Sequence, residues 1–344
     1  MGVLHGVNLT GWLSLEPWVT PELFAESGSL DEDSLAQALG SRGYADVVRR
    51  HRETFITQED FSRIASRGFN AVRLPVPWYA FGESGPNPGP FQGCVDFIDA
   101  ALDWAEEIDL KVIFVLAINP NGGGEGGQRS DLSDSALNRK QLLDVIYALC
   151  KRYASRMGFY GIEIADDVRA QRRVGFRMHD GVAPHVLRNY YREAYELVRA
   201  AAGDDPVVIL PDGGHPAGLN KFMAQAHYKN VWVDVHLDKP RSQIDVSVPS
   251  GVRSLVADHT RYVERARKSG LPVMVGKWSS SLPMADSAMT PEGRIALERV
   301  YTSEQLGAYG QCSAWFFNAW KTSGLLPGWD ARVALASFDR GMLA

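Results

Sequence analysis

The amino-acid sequence predicts an α/β fold in which residues 1–344 form a single (β/α)8 (TIM) barrel domain. Three observations predict it. Short apolar runs rich in β-branched residues alternate along the chain with longer amphipathic segments, the pattern of βα units feeding a parallel sheet. Eight such runs occur, the number that closes a barrel. No Pro/Ser-rich linker and no repeat of fixed period divides the 344 residues, a length that barrels routinely reach as one unit.

In chain order the strands are expected at 6–9, 71–74, 111–116, 160–165, 207–210, 231–236, 273–276 and 314–317. The run Lys111-Val-Ile-Phe-Val-Leu116 is apolar without alternation, as a strand buried on both faces should be. Helices are expected between them. Phe61, Ile64 and Ala65 mark 59–67, and Ile98, Ala101, Leu102 and Ala105 mark 95–107, each with apolar residues three or four apart. The same periodicity predicts helices over 135–156, 184–202, 216–225, 254–269 and 291–309, with Pro184, Pro216 and Pro291 at first-turn positions. The glycine-crowded stretch 119–133 follows the third strand and reads as a rim loop. It lacks the Gly-Lys-Ser/Thr ending of a phosphate-cradling loop.

Composition narrows the function classes. With 36 Lys+Arg against 41 Asp+Glu and a net charge of −5, the chain lacks the basic footprint that nucleic acid needs. Cys94, Cys150 and Cys312 are odd in number and lack metal spacing, so buried free thiols are expected. The first residues show no basic segment followed by an apolar one and a cleavage site, and no apolar run is long enough to span a membrane. A cytoplasmic protein without membrane contact is the expectation. The nine Trp suit a cleft for flat apolar faces such as sugar rings, or equally an aromatic core.

The text at the strand ends is specific. His5-Gly-Val-Asn-Leu-Thr-Gly-Trp-Leu-Ser-Leu-Glu-Pro-Trp-Val-Thr-Pro-Glu-Leu-Phe24 resembles the first strand and loop of glycoside hydrolase family 5, in its exo-β-1,3-glucanase branch. The likeness continues through Arg52–Phe61, Ala71-Val-Arg-Leu-Pro-Val-Pro-Trp-Tyr-Ala-Phe81, Phe97–Trp104, Val233-Asp-Val-His236, Val275-Gly-Lys-Trp-Ser279 and Ala314-Trp-Phe-Phe-Asn-Ala-Trp-Lys-Thr322. It covers nearly the whole chain. The resemblance implies a barrel whose site lies at the C-terminal ends of the strands, with a small-molecule ligand in the mouth and no cofactor or metal. Arg73, Glu16, Trp278, Asn318, Trp320, Tyr79 and Asn119 are then the residues expected to meet that ligand, with Trp278 and Trp320 as cleft walls.

The resemblance also implies departures. Members of the family cleave β-glucosidic bonds with retention, using one carboxyl to protonate the leaving oxygen and a second, roughly 5–5.5 Å away, as nucleophile. The family's Asn-Glu-Pro falls on Asp166-Asp167-Val168, and its Gly-Glu-Trp on Gly276-Lys277-Trp278. Its His after the third strand falls near Ala117, its Tyr beyond the sixth strand on Asp238, and a Trp of the eighth strand on Asn318. Arg73 and His236 remain. An ammonium cannot form a glycosyl ester, and Asp167 ends one methylene short of the glycosidic oxygen.

Ionisable groups have been gained at these positions, which points to rebuilt chemistry carried by Asp167, Lys277, His236, Asp166 and Asp238. Asp167 and His236 are the proton-transfer candidates, with Arg73 orienting one of them. Lys277 is expected to act as a fixed cation, since nearby carboxylates oppose the neutral amine a Schiff base requires. A salt-bridge cluster that only replaces the family's own hydrogen bonds is the structural alternative. Asp234, His236 and Asp238 share one strand face, but Arg73 and Lys277 would repel a metal there.

Overall fold

Eight parallel strands close on themselves in the computed structural model, which describes residues 2–86, 91–117, 132, 136–174, 177–179, 181–238, 244–283, 289–324, 326–338 and 340–343. The barrel strands are β1 (Leu4–Asn8), β2 (Ala71–Pro77), β3 (Lys111–Ala117), β4 (Phe159–Glu163), β7 (Val207–Pro211), β8 (Val231–His236), β9 (Val273–Trp278) and β10 (Ala314–Phe317). They neighbour one another in sequence order, and β10 returns to β1. A small antiparallel pair, β5 (Arg172–Val174) with β6 (Arg177–His179), is inserted after β4.

Inward-facing residues are layered. The lower barrel is filled by Leu4, Ala71, Ile113, Val207, Ile209, Met274, Ala314 and Phe316, a self-contained apolar cluster. One level higher, towards the strand C-termini, the inward positions carry Asn8, Arg73, Glu163 and Asp234, all buried. Register aligns the polar layer: Asn8 pairs with Arg73, Val115 with Glu163, and His236 with Lys277. A larger apolar layer between strands and helices carries Trp12, Phe61, Leu102, Ile146, Tyr191 and Trp278. Cys94, Cys150 and Cys312 are buried and unpaired.

Helices at Gln58–Ser66, Val95–Glu107, Ala136–Tyr153, Pro184–Ala202, Pro249–Arg267 and Pro291–Tyr309 agree with the sequence periodicity to within a few residues. Two elements differ. The segment 216–225 contains only a 3-10 turn, Lys221–Ala224, because Gly218 and Asn220 interrupt too short an apolar pattern to sustain a helix. Conversely, Glu32–Thr54 is helical although its mean character is polar. Asp31 accepts from Ser34 N at 2.7 Å and caps its start, while Gly40, at φ 65°, breaks its regularity.

Candidate active site

The polar layer is built around Arg73, which β2 points into the barrel with no solvent exposure. Its Nε and Nη2 both donate to Glu163 Oε2, at 3.0 and 2.7 Å, its Nη1 to Asn8 Oδ1 at 2.8 Å, and Nη2 also to Asp166 Oδ1 at 3.0 Å. Asn8 in turn donates to the Gly276 carbonyl at 2.9 Å, tying β1 to β9. Burial disfavours the guanidinium, but Glu163, Asp166 and Asp234 outweigh it and hold Arg73 charged. Burial pushes the Glu163 carboxyl well up, with Arg73 pulling the other way.

Above this layer two further cations sit between carboxylates. Lys277 Nζ donates to Asp166 Oδ2 at 2.8 Å and Asp167 Oδ2 at 2.9 Å. Burial works against its charge, but the two aspartates prevail and raise its pKa, so the amine stays protonated. His236 Nδ1 lies 2.7 Å from Asp167 Oδ1 and its Nε2 lies 3.0 Å from Asp234 Oδ2. Here too burial is outweighed, by Asp234 and Asp167, and the imidazole pKa is raised well above its usual value. A ring between two carboxylates is an imidazolium that donates from both nitrogens.

Asp166 is held below the ordinary carboxylate range: burial would raise it, but Lys277 and Arg73 prevail. Asp167 adopts a left-handed backbone, φ 49°, a conformation Asp tolerates better than most residues. Its side chain is 37% exposed, against 17% for Asp166, 15% for His236 and 8% for Lys277. Among these four, Asp167 is the group a ligand meets most openly.

The loop after β1 brings a further carboxyl. Glu16 accepts from Trp18 Nε1 at 2.7 Å. It is close enough to Lys277, Asp166 and Asp167 to feel their charge, and burial pushes its pKa up to about 7 against the pull of Lys277. This loop is anchored from beneath by buried Glu32, which accepts from Leu15 N at 3.1 Å, Tyr44 Oη at 2.5 Å and Tyr79 Oη at 2.7 Å.

The sequence-predicted residues therefore divide. Arg73, Asp166, Asp167, His236 and Lys277 form one connected ion network, and Glu16 lies beside it. Arg73 orients Asp166, whereas Asp167 is oriented by His236 and Lys277. Asp238, two residues past the end of β8, lies near enough to act electrostatically on Lys277 and Tyr301. Asn318 is buried and accepts from Thr10 Oγ1 at 2.7 Å.

Three expected ligand contacts are corrected. Trp278 has no exposed surface and packs edge-on against Tyr309, Trp315 and Phe317. Its neighbour Lys277 takes the inward position, and strand alternation turns the indole outward under the helices. Trp320 is buried and donates to Asp60 Oδ1 at 2.9 Å. Tyr79 is buried with its hydroxyl committed to Glu32. Asn119 and most of the glycine-rich stretch lie outside the described residues.

Glu163, Asp166 and His236 each bring one ligand atom within 4.8 Å of the others. Arg73 Nη2, at 2.7, 3.0 and 3.5 Å from them, already supplies the cation. Sequence reasoning missed Glu163, Asn8 and Glu32. A signal existed for the first: Gly161, Glu163 and Ala165 alternate with Ile162 and Ile164, so the carboxylate shares the strand face of the small residues that point inward.

A barrel with a polar site at the C-terminal ends of its strands is the arrangement shared by (β/α)8-barrel enzymes of many chemistries. The family described as Cellulase (glycosyl hydrolase family 5) matches residues 37–299. The chain belongs to glycosyl hydrolase family 5. It is 30% identical to a probable glucan 1,3-beta-glucosidase A of Aspergillus fumigatus over 98% of this chain and 86% of that protein, and 29% identical to the Aspergillus niger protein of the same name over 97% and 86%. Among solved structures, AoRut superposes with a TM-score of 0.81 at 18% identity, covering 99% of this chain and 97% of that one. Rutinosidase from Aspergillus niger follows with 0.76 at 16%, covering 100% and 98%. These structural likenesses show the shared barrel.

Proposed function

We propose that this chain is an enzyme of altered chemistry, one that moves protons on a small polar or sugar-derived biosynthetic intermediate in the manner of an isomerase, cyclase or eliminase. The observation that carries the reading is the clamp of Lys277 Nζ on Asp166 and Asp167 at 2.8 and 2.9 Å. If Lys277 stands at the family's nucleophile position, as the aligned text implies, a group without a free electron pair stands where a glycosyl ester would form. Retaining hydrolysis has no nucleophile there.

Asp167 is the base in this reading. Its carboxylate is the most open of the network, and His236 and Lys277 fix one oxygen each, so its orientation is set before a ligand arrives. Lys277, as a permanent cation beside it, stabilises negative charge that develops on the ligand when the proton leaves. Asp234 holds His236 and Arg73 holds Asp166, so the floor does not rearrange during the reaction.

A second reading is favoured by the same closure: every cation of the network already has its carboxylates, as suits a cleft that binds a carbohydrate without altering it. Two assays separate the readings. Solvent-deuterium incorporation and product formation are followed by NMR with free hexoses, aminohexoses and hexuronates, for the wild type, Asp167→Asn and Lys277→Ala. Turnover by wild type that both variants lose supports the enzyme, and saturable binding without turnover supports the binding protein. Aryl β-glucosides and laminarin fragments are expected to remain intact. Their hydrolysis by wild type, abolished in Asp167→Asn, would return the chain to the glucosidases.

A further inference from the structure

Between Val168 and Val182 the chain carries Arg169, Arg172, Arg173, Arg177 and His179 against one acid, Asp180, in a protein whose net charge is −5. This stretch leaves β4 directly after Asp167 and holds the β5–β6 hairpin. Its base is fixed to the barrel rim. Ala170 N donates to Gly213 O at 2.9 Å, just beyond the end of β7, while Gln171 N donates to Val182 O and Val182 N to Arg169 O, both at 2.8 Å. Gly181, at φ 153°, permits that closure, since a Cβ there would lie 2.7 Å from Arg169 O.

Arg169 and Arg172 are exposed, and among the described residues neither has a carboxylate partner. Exposed arginines of the outer helices do find one within a turn, as Arg63 does in Glu59 and Arg261 in Asp258. Strand register sets Arg172 directly opposite exposed His179, and opposed residues of an antiparallel pair share a face.

We propose that the root of this hairpin is an anion-binding rim, which holds the phosphate of a phosphorylated sugar whose ring reaches Asp167. The assignment names the substrate class of the site and rests on the acid–base reading above for its catalysis, though not for its binding. One ligand can span both places. At no more than about 3.6 Å per residue, the Cα atoms of Arg169 and Arg172 lie within about 7 and 18 Å of that of Asp167. The floor cannot serve the anion, because Arg73, Lys277 and His236 are each bound to carboxylates. Asp234 and Asp238 add further negative charge around them. At the rim the balance is reversed. A guanidinium fork meets phosphate oxygens two at a time. Two forks and an imidazole suit an anion of about two charges and three oxygens, whereas one fork already satisfies a carboxylate. Positive charge on one side of the mouth also orients the ligand, phosphate towards β4 and β7 and hydroxyls towards the aspartates.

Isothermal titration calorimetry of the full chain with glucose, glucose 1-phosphate, glucose 6-phosphate, UDP-glucose and glucuronate tests this. A phosphorylated sugar is expected to bind about tenfold or more tightly than glucose, with an affinity that falls as salt rises. The two monoesters set against UDP-glucose tell a sugar phosphate from a nucleotide sugar. Arg169→Ser and Arg172→Ser are each expected to weaken that binding by about tenfold or more. The urea-unfolding midpoint should stay in place, since neither side chain has a partner to lose. Equal affinity for glucose and its phosphates, glucuronate bound as tightly as the phosphates, or binding that both variants retain overturns the proposal. Solvent-deuterium incorporation into the bound sugar phosphate, lost in Asp167→Asn, joins the rim to the acid–base site. Turnover that Asp167→Asn retains overturns the acid–base reading, while the rim site stands.

Discussion

Arg73 shows how much of this site is a matter of single residues. Its guanidinium meets Glu163, Asp166 and Asn8 directly and lies 3.6 Å from Asp234. Removing it strands buried carboxylates without a counter-charge, a loss worth about 3–5 kcal/mol when a buried pair is broken. Arg73→Met is therefore expected to lower urea-unfolding stability by about that amount, and an unchanged midpoint would show that Asp166 and its neighbouring carboxyls need no counter-charge from Arg73. The sequence displayed Arg73, Asp166, Asp167, His236 and Lys277 because each stands in a strand-end motif. It hid Glu163, whose partner lies 90 positions away and whose charge interrupts an otherwise apolar strand. The indoles were misjudged for a related reason: motif likeness gives a residue's place in the chain, and strand alternation decides whether it faces the mouth or the helices.

At the scale of elements, the loop after β1 and strand β9 are held by contacts no local pattern announces. Tyr79, at the end of β2, serves the loop through Glu32 rather than the ligand. Tyr79→Phe deprives that buried carboxyl of one donor, at a cost of about 1–3 kcal/mol, readable by thermal or urea unfolding; an effect below a few tenths would mean that Tyr44 and Leu15 N suffice. On β9, Gly276 donates to Asp234 Oδ1 at 2.6 Å, and a Cβ there would lie 2.0 Å from Asp234 Oδ2. Gly276→Ala must displace Asp234 from His236. Destabilisation of about 1–3 kcal/mol is expected from the crowding, together with an altered His236 imidazole titration by NMR. Periodicity made helices such as Val95–Glu107 and Pro184–Ala202 readable, since each buries a regular apolar stripe. It failed for Glu32–Thr54, a polar helix whose buried positions include Glu32, His51 and Arg52.

For the whole molecule, the charge layer makes folding and proton binding one problem. Carboxyls in the mouth are displaced in both directions, so the stability profile against pH is a sum of opposing contributions. Glu16 is separable from that sum. Its usual pKa of 4.5 rises to about 7 in the fold, mainly through burial. The folded chain therefore binds this proton more tightly than the unfolded one. Its contribution to stability is complete below pH 4.5, shrinks as pH rises through the interval, and is lost above about pH 7. Asp166 runs the opposite way: its depressed pKa gives stability that is present above its ordinary value and lost in acid. Comparing wild type with Glu16→Gln isolates the Glu16 proton together with its coupling to Lys277, Asp166 and Asp167, because the amide does not titrate. The difference in Tm, wild type minus variant, is expected to decline steadily from pH 4.5 to about 7 and then level off. A difference that stays flat across that interval would mean that Glu16 ionises alike in both states, and that the mouth exerts no hold on its proton.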